Sequence, residues 1–177
     1  MPNATVKGIF LKGLVEVVRK LKGPDGVNKL KEEFGDLGFA GFKDYPMQVQ
    51  ADLNKISSKI IYGSYCPEAE YEFGRLSFKT YTDSLIGRTM FSLIGSSPIK
   101  VAKALPKILG TVTSGLKITV EEINSLKAKI RMQNIPFHIK HYEGACVAAA
   151  EHFGYKAKVT SKLIGKDDFE YTVEWYK

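Results

Sequence analysis

Arginine is scarce in this 177-residue chain: only Arg19, Arg75, Arg88 and Arg131 stand among the 26 basic residues. Readers of nucleic acid lean on arginine for bidentate contacts to guanine and phosphate. No zinc-finger spacing, basic-region heptad or aromatic RNA-binding signature accompanies the lysines, so nucleic acid is not an expected partner. Cysteine is equally sparse. Cys66 and Cys146 lie far apart without a CxxC pair, and the opening Met1-Pro2-Asn3-Ala4-Thr5-Val6-Lys7 lacks the basic-then-apolar order of a signal peptide. A reducing, cytoplasmic setting is the expectation. The longest charge-free run near the middle, Thr89 to Ile99, is far shorter than the roughly 20 apolar residues of a spanning helix.

Motifs for chemistry are also missing. No GxxxxGKS/T or GxGxxG string occurs, and Gly110-Thr111-Val112-Thr113-Ser114-Gly115 has neither the lysine nor the preceding strand of a phosphate loop. No GxSxG elbow is present, and Cys146, though near His141, sits in a run of alanines that reads as a buried structural position. His138 and His141 have the spacing of metal ligands on one helical face, but His152 is eleven residues beyond His141, roughly 16 Å along a helix, and cannot join them. No metal is expected, and the three histidines read as surface or capping residues. The adjacent acids Glu121-Glu122 and Asp167-Asp168 point to opposite strand faces or lie in a turn. With no acid pair, nucleophile or metal set, the chain does not read as an enzyme.

What is present is a globular composition, 44% hydrophobic and 25% charged, in a length suited to a single domain over residues 1–177. Ile9, Phe10, Leu14, Val17, Val18 and Leu21 follow a helical rhythm that stops at Gly23-Pro24-Asp25-Gly26, and a short helix follows from Val27 to Phe34. The glycine-rich, aromatic stretch Gly35 to Tyr45 reads as a packed loop. Pro46 opens a helix with Val49, Leu53, Ile56 and Ile60 on one stripe. A further helix starts at Pro67, with Glu68, Glu70 and Glu72 where the helix dipole favours acids. Gly87 and Gly95 break it, and Pro98 to Leu109 forms the next.

The rhythm then changes to period two. Leu116, Ile118 and Val120, and then Ala128, Ile130 and Met132, alternate with polar residues as paired strands do. A small-residue helix from Tyr142 to Gly154 follows, and a hairpin of Ala157 to Ile164 and Phe169 to Tyr176 closes the chain, with Phe169, Tyr171, Val173 and Trp175 on one apolar face. The predicted fold class is α+β: a helical N-terminal half packed with a four-stranded antiparallel sheet and one crossing helix. The net charge of +7 is unevenly placed. From Ser84 to Val120 the chain carries Arg88, Lys100, Lys103, Lys107 and Lys117 and no acid, either a solvated stripe or a docking face for an anionic membrane surface or an acidic protein.

The string Tyr65-Cys66-Pro67-Glu68-Ala69-Glu70-Tyr71-Glu72-Phe73-Gly74-Arg75, continuing to Tyr81, resembles a helix of the TRAPP vesicle-tethering subunits that begins after a cysteine. Tyr142-Glu143-Gly144-Ala145-Cys146 and the hairpin after it resemble the closing helix and strands of the same superfamily, which also takes in four-vinyl-reductase domains and haem nitric-oxide-binding proteins. With Val6-Lys7-Gly8-Ile9-Phe10-Leu11, Gly74-Arg75 and Gly87-Arg88, the chain is most similar to a myxobacterial-type bacterial family within it.

For haem, the resemblance implies a proximal histidine in the helix Pro98 to Leu109 and a later Tyr-x-Ser-x-Arg string; neither occurs here, so no haem or other cofactor is expected. For TRAPP subunits it implies an acyl chain in an apolar tunnel beside the cysteine that Cys66 matches. The function so implied is non-enzymatic binding of a long-chain fatty acid or related lipid, as sensor, carrier or tether, in a homodimer. Ile56, Ile60, Phe73, Leu76, Met90, Phe91 and Leu105 would wall the cavity or simply fill the core. Arg75 and Arg88 would anchor the carboxylate, and Cys66 would be acylated, line the mouth, or stand by. The alternatives are a protein-interaction scaffold with a filled core and a haem or gas sensor.

Overall fold

The computed structural model describes residues 4–94 and 97–177; at 85, 86, 90, 93 and 94 the backbone alone is described. Gly95 and the side chain of Met90, both singled out above, therefore lie outside the described residues. The chain begins with a short strand, β1 (Thr5–Lys7), and a helix, α1 (Gly8–Phe34). At Gly23 the helix breaks (φ 66°, ψ −164°). A residue before proline is pushed out of the α region, and a glycine tolerates the positive φ that takes the chain past Pro24. The expected two-piece helix is what the structure has: two helical segments meet at the kink at Gly23, and together they bury Leu11, Leu14, Val18 and Leu30.

A loop leads to β2 (Asp44–Pro46) and α2 (Met47–Tyr62), with Pro46 immediately before the helix. Then come α3 (Pro67–Asp83), α4 (Leu85–Ile94) and α5 (Pro98–Gly110). Gly87 lies inside α4 rather than ending a helix; the chain turns at Ser84, whose hydroxyl donates to the Tyr81 carbonyl at 2.6 Å and accepts from the Gly87 amide. After α5, β3 (Thr113–Ser114) joins β1 and β2 in a small antiparallel sheet of order β2-β1-β3. This sheet is not foreseen by the sequence, because strands of two or three residues carry no readable period. It ties the start of the chain to the end of α5, with Thr5 Oγ1 2.7 Å from Ser114 Oγ.

The C-terminal half follows the expected order: β4 (Lys117–Asn124), β5 (Lys127–Gln133), α6 (Ile139–His152), β6 (Lys156–Gly165) and β7 (Asp168–Tyr176), in an antiparallel sheet of order β4-β5-β7-β6. The predicted α+β class with a four-stranded sheet and one crossing helix is what the structure has. Ala128, Ile130 and Met132 on β5 and Phe169, Tyr171, Val173 and Trp175 on β7 are all buried. Fully burying a side chain of this size is worth roughly 1.5–3 kcal/mol, which makes this face the floor of the core. Glu170 breaks the alternation. Register places it between Arg131 on β5 and Lys162 on β6, and both cations meet its carboxylate, at 2.6 and 2.9 Å.

Helices α3 and α6 cross at two glycines. A Cβ on Gly74 would overlap the carbonyl oxygen of His141, and one on Gly144 would overlap that of Tyr71. The backbones therefore touch, and the guanidinium of Arg75 spans the same crossing, donating to both carboxylate oxygens of Glu151 at 3.1 and 2.8 Å.

Two outcomes are expected. Gly74→Ala and Gly144→Ala each force the helices apart and should cost about 1–3 kcal/mol or more in urea unfolding; wild-type stability in both would mean that the helices are not in contact. The Glu170 carboxyl is held down to about 2 by hydrogen bonds from Lys162 and Arg131. A depressed carboxyl stabilises the fold above its unfolded value of about 4.3 and loses that contribution as pH falls towards 2. Urea midpoints should thus fall across this window in the native chain and fall less steeply in Glu170→Gln; identical slopes would contradict the pairing.

Candidate functional site

Between the sheet and the helices lies a cavity of about 130 Å³. Its floor is Ile130 and Met132 of β5 with Val173 and Trp175 of β7; α5 contributes Val101, Ala102, Leu105 and Ile108, and α6 contributes Tyr142, Ala145, Cys146 and Ala149. Small residues on α6 leave this space open: alanines stand where larger side chains would fill it. Gly74, Ser77, Phe78 and Tyr81 of α3 and Phe91 of α4 close the remaining side.

The wall contains no lysine, arginine, aspartate or glutamate among the described residues. Its polar atoms are few. Cys146 leaves surface uncovered towards the cavity, yet burial, with the nearby Glu143 charge second, pushes its thiol up to about 12. Burial likewise raises the hydroxyls of Tyr142 and Tyr171, so both stay protonated. The Tyr171 hydroxyl donates to the Ile139 carbonyl at 3.1 Å. His141, 4% exposed, lines the cavity; its Nδ1 lies 3.5 Å from Oε2 of Glu70 without forming a hydrogen bond. Glu70 is itself 1% exposed.

The residues proposed from sequence divide sharply. Phe91 and Leu105 line the cavity. Phe73 is buried beside it, its ring centroid 6.1 Å from that of His141. Ile56 and Ile60 are half-buried against the main core but do not reach the cavity. Leu76 borders a separate polar groove between α3 and α6, together with Arg75 and Glu151. Arg75 is engaged with Glu151 and Glu72, is raised above its ordinary value chiefly by the Glu151 hydrogen bond, and stands outside the cavity, where it clamps α3 to α6. Arg88 is exposed on α4. Cys66 precedes α3, outside the cavity, where the Ser64 hydroxyl donates to its sulfur at 3.7 Å. The basic stretch is exposed at Arg88, Lys100, Lys103, Lys107 and Lys117, and Lys103 pairs with Glu122 at 2.5 Å.

His141 is the cavity residue that the sequence reads as a surface or capping histidine, while Cys146 is interior, as its run of alanines suggests. His138 does cap α6, its Nδ1 accepting from the Lys140 amide at 3.2 Å, but His141 faces inward. The available signal was its place three residues before Gly144 on a helix whose inner face is otherwise small and apolar. His152 packs edge-on against Phe78 and Phe153. Among the described residues no group of three potential metal ligands comes together, and no helix is long and apolar enough to cross a membrane.

A family model described as Protein of unknown function (DUF2378) matches residues 1–176. The chain belongs to that family. No curated protein matches this DUF2378 chain. Among solved structures it is similar to the Fe(II) unliganded H-NOX protein from K. algicida, at 15% identity, TM-score 0.69 and 97% coverage of both chains. It is also similar to an H-NOX protein from S. oneidensis in the Fe(II)NO ligation state, at 14% identity and TM-score 0.73, covering 97% of this chain and 99% of the other. An oxygen-binding H-NOX domain related to soluble guanylate cyclases aligns at 12% identity and TM-score 0.70, covering 97% and 95%. These likenesses bear out the haem-nitric-oxide-binding branch of the resemblance at the level of fold, and carry nothing about TRAPP subunits or myxobacterial kin.

The interior does not fit the haem that the fold family implies. An engineered cavity of about 150 Å³ holds one benzene, and a porphyrin ring of four pyrroles far exceeds the space here. On its cavity side α5 presents Pro98, Val101, Ala102, Leu105, Ile108 and Leu109, none of which can ligate iron; the His141 imidazole in the wall belongs to α6 and has its Nδ1 3.5 Å from the Glu70 carboxylate. Two propionates would meet no lysine or arginine among the described residues of the wall.

The two cysteines should differ in reactivity. Iodoacetamide at neutral pH is expected to alkylate Cys66 in the folded protein and Cys146 only after unfolding, since the thiolate is the nucleophile. Equal labelling of both, read by peptide mass spectrometry, would contradict the raised thiol of Cys146 at the cavity wall.

Proposed function

We propose that this chain is a non-enzymatic binding protein that holds a compact apolar molecule in the cavity between α3, α5, α6 and the sheet, acting as a sensor or carrier. The observation that supports it is the cavity itself: about 130 Å³ of half-enclosed space walled largely by apolar groups between the helices and the sheet. Protein interiors pack to crystal-like density, and an unfilled volume lowers stability by roughly 24 cal/mol per Å³. A space retained at that cost is suited to a ligand that refills it.

A long-chain fatty acid, implied by the resemblance to TRAPP subunits, has more than twice the carbons of benzene and exceeds the cavity as it stands. Its carboxylate would also find no cation there, because Arg75 and Arg88 lie outside. Only part of such a chain would be accommodated. A scaffold with a filled core accounts for neither the cavity nor its apolar lining.

Binding of toluene, followed by calorimetry and by the rise in Tm it produces, tests this reading. Saturable binding is expected, lost when Ala149→Leu fills the space; hemin should give no stoichiometric Soret band. Failure of toluene to bind, or a one-to-one haem complex, would overturn the proposal.

A further inference from the structure

Beneath one wall of the cavity the structure keeps polar atoms that nothing satisfies. His141 Nδ1, Glu70 Oε1 and Ser77 Oγ are buried without a hydrogen-bond partner, and His141 and Ser77 line the cavity. On α2, Asn54, Ser57 and Ser58 are also buried with unpartnered side-chain atoms, one to two turns beyond Gln50, which reaches the same cavity. Buried polar groups are nearly always paired, and each exception lowers stability. A core built only for packing would carry apolar residues at these positions.

The charges narrow what the pair can meet. Glu70 stands behind His141, not in the wall, so among the described residues neither an acidic side chain nor a lysine or arginine faces the cavity. An anionic or cationic ligand would be desolvated without a counter-charge, which leaves a neutral one. In a neutral imidazole with its proton on Nδ1, the nitrogen 3.5 Å from the Glu70 carboxylate, the other ring nitrogen is the acceptor.

We propose that the cavity selects a compact apolar molecule bearing one neutral hydroxyl, an aromatic or short-chain alcohol, whose O–H donates to His141, with Glu70 holding the imidazole in the accepting tautomer. This rests on the apolar-ligand reading above and adds the chemical class of the ligand. His141 is the recognition residue; Glu70 acts through it as a positioning residue.

Calorimetry on the full chain with phenol, toluene and benzoate separates the two readings. Phenol should bind at least as tightly as the more hydrophobic toluene, and benzoate should not bind. His141→Phe should weaken phenol about tenfold and toluene by less than about twofold, the loss of one buried hydrogen bond. Glu70→Gln keeps the shape and removes a buried charge, so it is the variant that folds if the first does not; it too should weaken phenol selectively. Equal effects on phenol and toluene in both variants, or tight benzoate binding, would overturn the hydroxyl assignment and leave the cavity reading standing. Failure of both phenol and toluene to bind the native chain would overturn the cavity reading itself.

Discussion

The backbone contact of α3 with α6 at Gly74 and Gly144 is the constraint on which the interior depends. With no Cβ at either position the helices approach until carbonyl oxygens lie against the opposing backbone, and the Arg75–Glu151 clamp holds the crossing from outside. Helix α6 is thereby fixed between α3 and the sheet. Its first turn carries His141 to the Glu70 side chain, and its inner face, with Ala145, Cys146 and Ala149, becomes one wall of the cavity. Widening the crossing by one methyl group would move each of these together.

The same frame surrounds a different interior in this chain from the one haem requires. The helices and sheet superpose on H-NOX structures over nearly the full length, yet the α5 face offers aliphatic side chains and the wall offers no cation among the described residues. Fold and site are separable because packing of the layers depends on backbone crossings and apolar periodicity, whereas ligand choice depends on a few side chains that point into the remaining space. Here those side chains leave a small volume and one imidazole.

Periodicity made most of the fold legible. The alternation on β5 and β7 marks their buried faces directly, whereas on α2 only Leu53 of the apolar stripe is buried and the most buried face carries Gln50, Asn54, Ser57 and Ser58. Gly74-Arg75 and Tyr142-Glu143-Gly144 stood out only as family strings; their physical meaning, a close crossing and its clamp, requires knowing that two segments about seventy residues apart are neighbours. Glu170 shows the same limit. It reads as an ordinary strand acid until register puts Arg131 and Lys162 on either side. The site is less legible, because the chemistry of a carboxylate ligand points to arginines by residue type alone. Residue type cannot reveal that Arg75 already has a partner, nor that His141, rather than Cys66, is turned inward.

Crystals pressurised with xenon test the central claim most directly, since an apolar cavity of this size takes up xenon without any change of the protein. The account predicts a strong xenon peak enclosed by Leu105, Cys146, Ala149 and Trp175, and its loss when Ala149→Leu fills the space. Side chains packed through that position in the native crystal, with no xenon bound there, would contradict it.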